Sequence, residues 1–446
     1  MSGKKYSFAF RYALRLSLEF VSRFKLLFLA GLVIGVALFF FLSTLLPLLL
    51  KRTSVRIGIT GRYTVEDVPY TIQQLLSRGL TKIKENGEIE PDIATGWETS
   101  DKGKTWLFKL SPDIKWNDGS SLKASDLHYN FSDVETEFPD ESTILFRLST
   151  PYSPFPVVVS KPVFKKGLLG SSSWKVDKLT LSGNFIHSLQ VSDPAGTSKL
   201  YKFYPTEDQT KLAFRLAEVD VIDSLIDPRP LDTWPTVAVT KSLSLNRQVV
   251  IFLNTQDSLL SNKNLRQALA YSIDKSAFGQ RALSPISLES WSFNPQVKSY
   301  DYDPIHAKEI IDDYLADKEK KEVMIKLASY PSLLPVAEKI SDQWKQVGIK
   351  TSVQVSSITP NEYQAFLAIY DIPLDPDQYS VWHSTQTETN ITKYASPRID
   401  KLLEDGRTEL DFETRKKIYL DFQRFLLEDS PAIFIYYPEY FKVERL

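Results

Sequence analysis

The chain has 446 residues, more than one compact core holds at about 100 to 200 residues per domain, so two or three lobes with a cleft are expected. Its 54 Lys and Arg balance 55 Asp and Glu to a formal net charge of -1, which offers no whole-molecule field to attract nucleic acid. Cysteine is absent, which excludes disulfides, thiolate nucleophiles, cysteine zinc sites, iron–sulfur clusters and a lipidated N-terminal cysteine.

From Leu26 to Leu50 no residue is ionisable. A helix needs about 20 apolar residues to cross about 30 Å of hydrocarbon, so this stretch is expected to span a membrane once. It ends in LLPLLLKR without a small-x-small cleavage site, so it is expected to be retained. Lys4, Lys5, Arg11, Arg15, Arg23 and Lys25 precede it, whereas Lys51, Arg52, Arg56 and Arg62 follow. That is a modest bias towards a cytoplasmic N-terminus, and composition alone leaves the orientation open. Between Ser7 and Phe24, Arg11, Arg15, Glu19 and Ser22 alternate at helical spacing with Phe10, Leu14, Leu18 and Val21. An interfacial amphipathic helix and a frayed basic tail fit this segment equally well.

Beyond the apolar stretch, SVRIGIT (Ser54 to Thr60) alternates and is rich in β-branched residues, which predicts a first strand ended at Gly61. TWLFKL (Thr105 to Leu110) predicts another, and the spacing in KASDLHYNFSDVE predicts a short helix. The region from Tyr152 to Ser198 is dense in Pro, Ser, Gly and Lys, with KVDKLTL as a strand-like piece. A helical TEDQTKLAFRLAE then leads into VDVID, and QVVIFLN (Gln248 to Asn254) predicts a strong strand. Ser261 or Asn262 can cap NLRQALAYSIDKSAF, Asp303 precedes Pro304 at the start of DPIHAKEIIDDYL, and Gly348 stops LLPVAEKISDQWKQV before the alternating IKTSVQVS. A last helix is predicted from about Asp411 to Glu428, followed by PAIFIYY as a strand.

His128, His187, His306 and His383 stand singly, with no i, i+4 pair to place two metal ligands on one helical face. Gly103-Lys104-Thr105 looks like the end of a phosphate loop, but Glu98 stands where the motif needs its first Gly. No G-x-S-x-G elbow occurs, so a serine hydrolase is poorly supported. Asp371, Asp375 and Asp377 cluster in YDIPLDPDQY. Their types fit acid/base work, a cation site or an anchor for a ligand amine, and equally a set of Asp-Pro turns.

Several blocks carry a resemblance. LLSRGLTKIKENGEIEPDIATGWETSDKGKTWLFKLSPDIKWNDGSSLKASDLHYNF is followed in order by LAEVDVID, by FLNTQDSLLSNKNLRQALAYSIDKSAF, by DYDPIHAKEII, by EKISDQWKQVGIKTSVQV and by NITKYASPRIDKLLEDGRTELDFETRKKIYLDFQRFLLEDSPAIFIYYPEYF. Over nearly the whole chain after residue 53 this resembles solute-binding protein family 5, the oligopeptide, dipeptide and nickel receptors of ABC importers. Three departures stand out. The segment between Tyr129 and LAEVDVID is shorter than the family pattern, the Gly of a Gly-Glu-x-Asp pattern is Ala217, and the lipid anchor is replaced by the 26–50 stretch.

The resemblance implies an α/β, two-lobed fold of the type II periplasmic-binding-protein kind with a ligand cleft, preceded by one transmembrane helix. It divides the chain into a cytoplasmic basic segment (1–25), a membrane helix (26–50), lobe I (53–250, with a small inserted subdomain and completed by 431–446) and lobe II (251–430). The chain is expected to cross between lobes near QVVIFLN and again near PAIFIYY. The function implied is that of an extracytoplasmic, non-enzymatic receptor, monomeric and without a cofactor, which hands an oligopeptide or dipeptide to ABC permease subunits. A nickel-chelate or other small-solute receptor, a ligand-sensing membrane receptor and a hydrolase using the Asp cluster are the alternatives. Asp371 is the closest match to the carboxylate that pairs with a peptide's ammonium group in such receptors, and Asp375 competes with it because the spacing to Asp-Pro-Asp is one residue longer. Val68, Tyr129, Phe252, Asn254 and Trp382 are candidate cleft residues by motif position, with core packing an equal alternative for each. Trp97, Trp106 and Trp116 are assigned mainly to packing.

Overall fold

The computed structural model describes residues 24, 30–31, 33–36, 38–41, 54–318, 322–360 and 362–446. The basic segment 1–25 and the apolar stretch 26–50 therefore lie mostly outside the described residues. Those described between 30 and 41 are helical, and among the described residues no helix is long and apolar enough to cross a membrane. Arg56–Leu446 forms one compact unit.

The chain opens with β1 (Ser54–Thr60) and α1 (Tyr70–Leu76), then a small hairpin, β2 (Thr81–Ile83) and β3 (Ile89–Pro91). Four antiparallel strands follow: β4 (Ala94–Ser100), β5 (Thr105–Leu110), β6 (Val134–Asp140) and β7 (Thr143–Leu148), ordered β4-β5-β7-β6. After the short α2 (Phe155–Val158) come β8 (Lys175–Ser182), β9 (Phe185–Ser192), β10 (Ser198–Tyr204), α3 (Glu207–Arg215), β11 (Val221–Leu225) and β12 (Val237–Leu243). The second half comprises β13 (Arg247–Leu253), α4 (Lys263–Tyr271), α5 (Pro304–Asp317), β14 (Val323–Ser329), α6 (Leu334–Gln346), β15 (Ile349–Val355), β16 (Ala365–Asp371), α7 (Tyr379–Trp382), α8 (Pro397–Thr408), α9 (Phe412–Asp429), β17 (Ala432–Tyr436) and β18 (Glu439–Arg445).

Two larger sheets organise these elements. One has seven strands in the order β12-β18-β11-β1-β10-β9-β8, the other five in the order β15-β14-β16-β13-β17. The five-stranded sheet carries the main core. In β13 every residue after Arg247 is buried, because the strand lies between β16 and β17 and is covered on both faces, which is why its sequence is a continuous apolar run. Helix starts follow their sequence signals. Asn262, Asp303 and Asp411 accept hydrogen bonds from the backbone N–H groups of Leu265, His306 and Thr414.

The passages between the two large sheets lie beside the apolar runs near which they were expected. The chain leaves β12, turns through 244–246 and enters β13, and it leaves β17 through 437–438 to enter β18. QVVIFL lies in the sheet interior and AIFIY in its edge strand, and the Ser244-Leu245-Asn246 and Tyr437-Pro438 steps make the turns. The Ser244 N–H donates to the Pro438 carbonyl at 3.1 Å, so the two passages lie side by side.

The helix expected in KASDLHYNFSDVE is absent. Only Ala124–Asp126 forms a single tight turn, and Leu127 is already extended. Tertiary bonds override the local periodicity here. The Asp126 carboxylate accepts from Trp116 Nε1 at 3.0 Å, and the Tyr129 hydroxyl donates to the Val159 carbonyl at 2.9 Å. The Tyr129 ring lies parallel to that of Phe131 at 5.4 Å.

Candidate functional site

The β2–β3 turn crosses from the four-stranded sheet's side of the molecule to the five-stranded half. Gly87, at φ +80°, has the left-handed backbone this tight turn requires, and a β-carbon there would lie 3.4 Å from the Trp291 ring. The Trp291 N–H donates to the Asn86 carbonyl at 2.9 Å. A second bridge lies nearby. The Ser153 N–H donates to the Arg407 carbonyl at 2.7 Å, and the Arg407 guanidinium stacks on Tyr152 and Tyr379.

These contacts enclose two chambers that meet at Gly87. The larger is a cavity of about 410 Å³, within the usual range for ligand sites. Its walls are Trp97, Trp106, Trp291 and Phe412, with Glu88, Leu410 and Glu409 also lining it and Asp375 and Arg415 inside. The smaller, of about 120 Å³, lies against the passage residues Leu245 and Asn246, the 286–290 segment and Ile372–Leu374.

The larger chamber contains a buried ion pair. Arg415 donates to both carboxylate oxygens of Asp375, at 2.9 and 2.5 Å, and through Nε to the Gly406 carbonyl at 2.8 Å. Both side chains are about 10% exposed or less. Burial lowers the affinity of the Arg415 guanidinium for its proton, but the Asp375 charge and Tyr419 outweigh it and hold the pKa above the ordinary value. Asp375 also accepts from the Asp377 N–H at 2.8 Å. Asp377 pairs with Arg407 at 3.2 Å, and burial, only partly offset by that guanidinium, pushes its carboxyl above the usual range. Burial, then the charges of Asp377 and Asp375, push the Tyr152 phenol up to about 12. On the wall, hydrogen bonds from Asn86 and then Lys84 lower the Glu88 carboxyl.

The expected site residues part company here. Asp375 lines the larger chamber. Asp371 does not line either chamber: its side chain is 74% exposed, and Arg247 Nε donates to it at 2.6 Å while Nη1 reaches the Tyr440 hydroxyl at 3.3 Å. Its charge is thus already matched. Phe252 and Trp382 are core residues with ring centroids 6.2 Å apart, and Trp382 Nε1 donates to Gln378. Val68 is buried beside Ile72 and Leu76. Asn254 braces its own loop, donating to the Tyr363 carbonyl at 3.1 Å and accepting from the Gln256 N–H. Tyr129 lines a separate cavity of about 450 Å³ with His128, Phe131 and Lys161.

Sequence reasoning missed Trp291, Phe412, Glu409 and Arg415, and it assigned Trp97 and Trp106 mainly to packing. Trp106 serves both purposes, stacked on Phe155 in the core and facing the chamber. One signal was available. Arg415 lies on the same helical stripe as Tyr419, Phe422 and Leu426, all buried, and a charged residue on a buried stripe needs an opposite charge nearby. Among the described residues there is no group of three or more His, Asp or Glu placed to hold a metal ion.

Comparison with known proteins agrees with this architecture. The model of the bacterial extracellular solute-binding proteins, family 5, middle region, matches residues 88–187 and 199–390. The oligopeptide-binding protein AppA of Bacillus subtilis is 23% identical, over 84% of this chain and 83% of the relative. Its solved structure in complex with a nonapeptide overlays with a TM-score of 0.65 at 18% identity, covering 88% of this chain and 94% of that one. NikZ of Campylobacter jejuni in complex with Ni(L-His) overlays at 0.69 with 20% identity and the same coverage. The likeness to these structures establishes the mixed α/β, two-lobed fold. The chain belongs to the bacterial extracellular solute-binding proteins of family 5.

Proposed function

We propose that this chain is the extracytoplasmic receptor of an ABC importer, binding oligopeptides or dipeptides between its lobes and handing them to permease subunits. The observation that carries this reading is the aromatic chamber enclosed between the β2–β5 side of the molecule and the α8–α9 side. In a family of binding proteins, such a cavity is where a ligand would draw the two halves together. Lobe I then comprises the seven- and four-stranded sheets, including β18, and lobe II the five-stranded sheet with its helices. On this reading the lobes divide at 244–246 and 437–438, a few residues from the expected 250/251 and 430/431. Oligopeptide-binding relatives favour a peptide ligand, and backbone hydrogen bonding with water-filled pockets accommodates varied side chains. Binding, without turnover, is the activity proposed.

Among the carboxylates, Asp375 is the one retained as a site residue, and it acts by holding Arg415 in place rather than as a free anchor for an amine. Stretch 26–50 is proposed as a single-pass anchor with the N-terminus cytoplasmic and the receptor outside, working as a monomer. The test is to extract the full chain in mild detergent, denature it and identify by mass spectrometry what it carried. Recovered peptides support the reading. A nickel chelate would move the assignment towards the ligand of the solved NikZ complex and refute it.

A further inference from the structure

The larger chamber carries a chemical preference that follows from its lining. Three carboxylates, Glu88, Asp375 and Glu409, face one guanidinium, Arg415, so the lining is net negative. Asp375 is consumed by its two-point pairing with Arg415. Glu88 is matched by Lys84 at 3.2 Å, a lysine that itself lines the neighbouring chamber. Glu409 accepts the Asp411 N–H at 2.8 Å, and among the described residues it has no basic side chain within ion-pair distance. The chamber therefore presents an uncompensated carboxylate beside four large aromatic rings.

Trp291 is already engaged, with the Arg415 guanidinium 5.6 Å from its ring centroid, so the open apolar surface is on the Phe412 side. Trp291 and Phe412 lie 4.7 Å apart at 40°. Leu410 and Phe412 at the lining remain 44% and 42% exposed, apolar area that nothing among the described residues covers. Cations are attracted to indole and phenyl faces, and a Lys or Arg side chain can lay its alkyl stem on apolar surface while its charge reaches a carboxylate. An acidic side chain would meet Glu409 and Glu88, and a purely aliphatic one would leave Glu409 partly desolvated without a partner.

We infer that the larger chamber is a specificity subsite for a basic side chain, Lys or Arg, of the bound peptide, with Glu409 receiving its charge and Leu410 and Phe412 holding its stem. This rests on the peptide-receptor reading above and names the ligand class within it.

The experiment is calorimetry on the full chain in detergent micelles with N-acetylated alanine pentapeptides. Each carries one Lys, or one norleucine, at each position in turn. Acetylation removes the peptide's own ammonium group, so a preference for Lys reports the side chain. At one position the Lys peptide is expected to bind about ten-fold more tightly than its norleucine counterpart, the lower end of what a partly desolvated charge pair gives. Glu409→Gln is expected to collapse that ratio towards one, and Glu88→Gln to reduce it less, because Lys84 already matches Glu88. Equal binding of Lys and norleucine peptides at every position, or a preference that returns only with a free N-terminus, overturns the basic subsite and leaves the receptor reading standing. Failure of every peptide to bind, acetylated or free, removes both.

Discussion

Removing Arg415 tests whether the Asp375–Arg415 pair holds the site together. Arg415→Met keeps the stem but strands Asp375 in a position about 9% exposed, with the Asp377 N–H as its remaining donor. Breaking a buried pair from one side costs about 3 to 5 kcal/mol. Loss of the Nε bond to the Gly406 carbonyl adds about 1 kcal/mol. That carbonyl sits where α8 presses on α9: a β-carbon at Gly406 would lie 2.7 Å from the Tyr419 ring, so relaxation is limited. A total of about 4 to 6 kcal/mol is expected. Asp375→Leu alone should cost a comparable amount, because it leaves the guanidinium unpaired. The double variant should cost less than either single one, since an apolar replacement of a buried pair is often close to neutral. Urea unfolding followed by tryptophan fluorescence measures all four proteins. Additive losses, or a loss below about 1 kcal/mol for Arg415→Met, would refute the view that the pair is desolvated and mutually dependent.

Four shorter expectations follow from other features. Ala217 sits at φ +59° and closes α3, with the Ala217 and Glu218 N–H groups bonding back to Phe214 and Ala213; Ala217→Gly should stabilise the fold by about 0.5 to 1 kcal/mol in the same assay. The Lys275 ammonium is buried, donating at 2.6 Å to the carbonyls of Ala270 and Tyr300, and burial lowers its pKa to about 7. Because the unfolded chain then holds the extra proton, this group makes stability rise between about pH 7 and 10.5, and Lys275→Met should remove that rise in a pH series of unfolding curves. Asp371→Asn disturbs an exposed pair, so it should change stability by less than about 1 kcal/mol. Since Arg247 already occupies Asp371, acetylating a bound peptide should weaken wild type and Asp371→Asn alike, and a loss confined to wild type would restore Asp371 as the amine anchor. Protease added to spheroplasts should remove the chain beyond residue 50 and leave a small membrane fragment, whereas protection of the receptor would reverse the proposed topology.

The fold was largely legible because its strands and helices advertise themselves locally. SVRIGIT and TWLFKL match β1 and β5 end to end, and the caps at Asn262, Asp303 and Asp411 start helices where their side chains can accept. The segment around Tyr129 was not legible, since a helical spacing of apolar residues was overruled by bonds to Trp116 and Val159, far away in sequence or on another element. Of the proposed site, one residue was among the sequence candidates. Asp371 led the sequence reading with Asp375 as its competitor, and Trp291, Glu409, Phe412 and Arg415 come from separate segments that only the tertiary fold brings beside Asp375, Trp97 and Trp106. For Phe252 and Trp382 motif position left ligand contact and core packing equally open, and both side chains lie buried in the apolar core.

The two passages between the large sheets are short, adjacent and tied by the Ser244–Pro438 bond, with Arg247 linking Asp371 at the end of β16 to Tyr440 at the start of β18. Two tethers this close together act like a single pivot. They leave rotation about one axis as the easy motion, and they oppose sliding or twisting of one half along the other. The expected consequence is that points far from the pivot sweep the largest arc. A longer guest would be accommodated by stopping that swing early, and the angle at rest would then report the guest's bulk to whatever protein reads the outer rim.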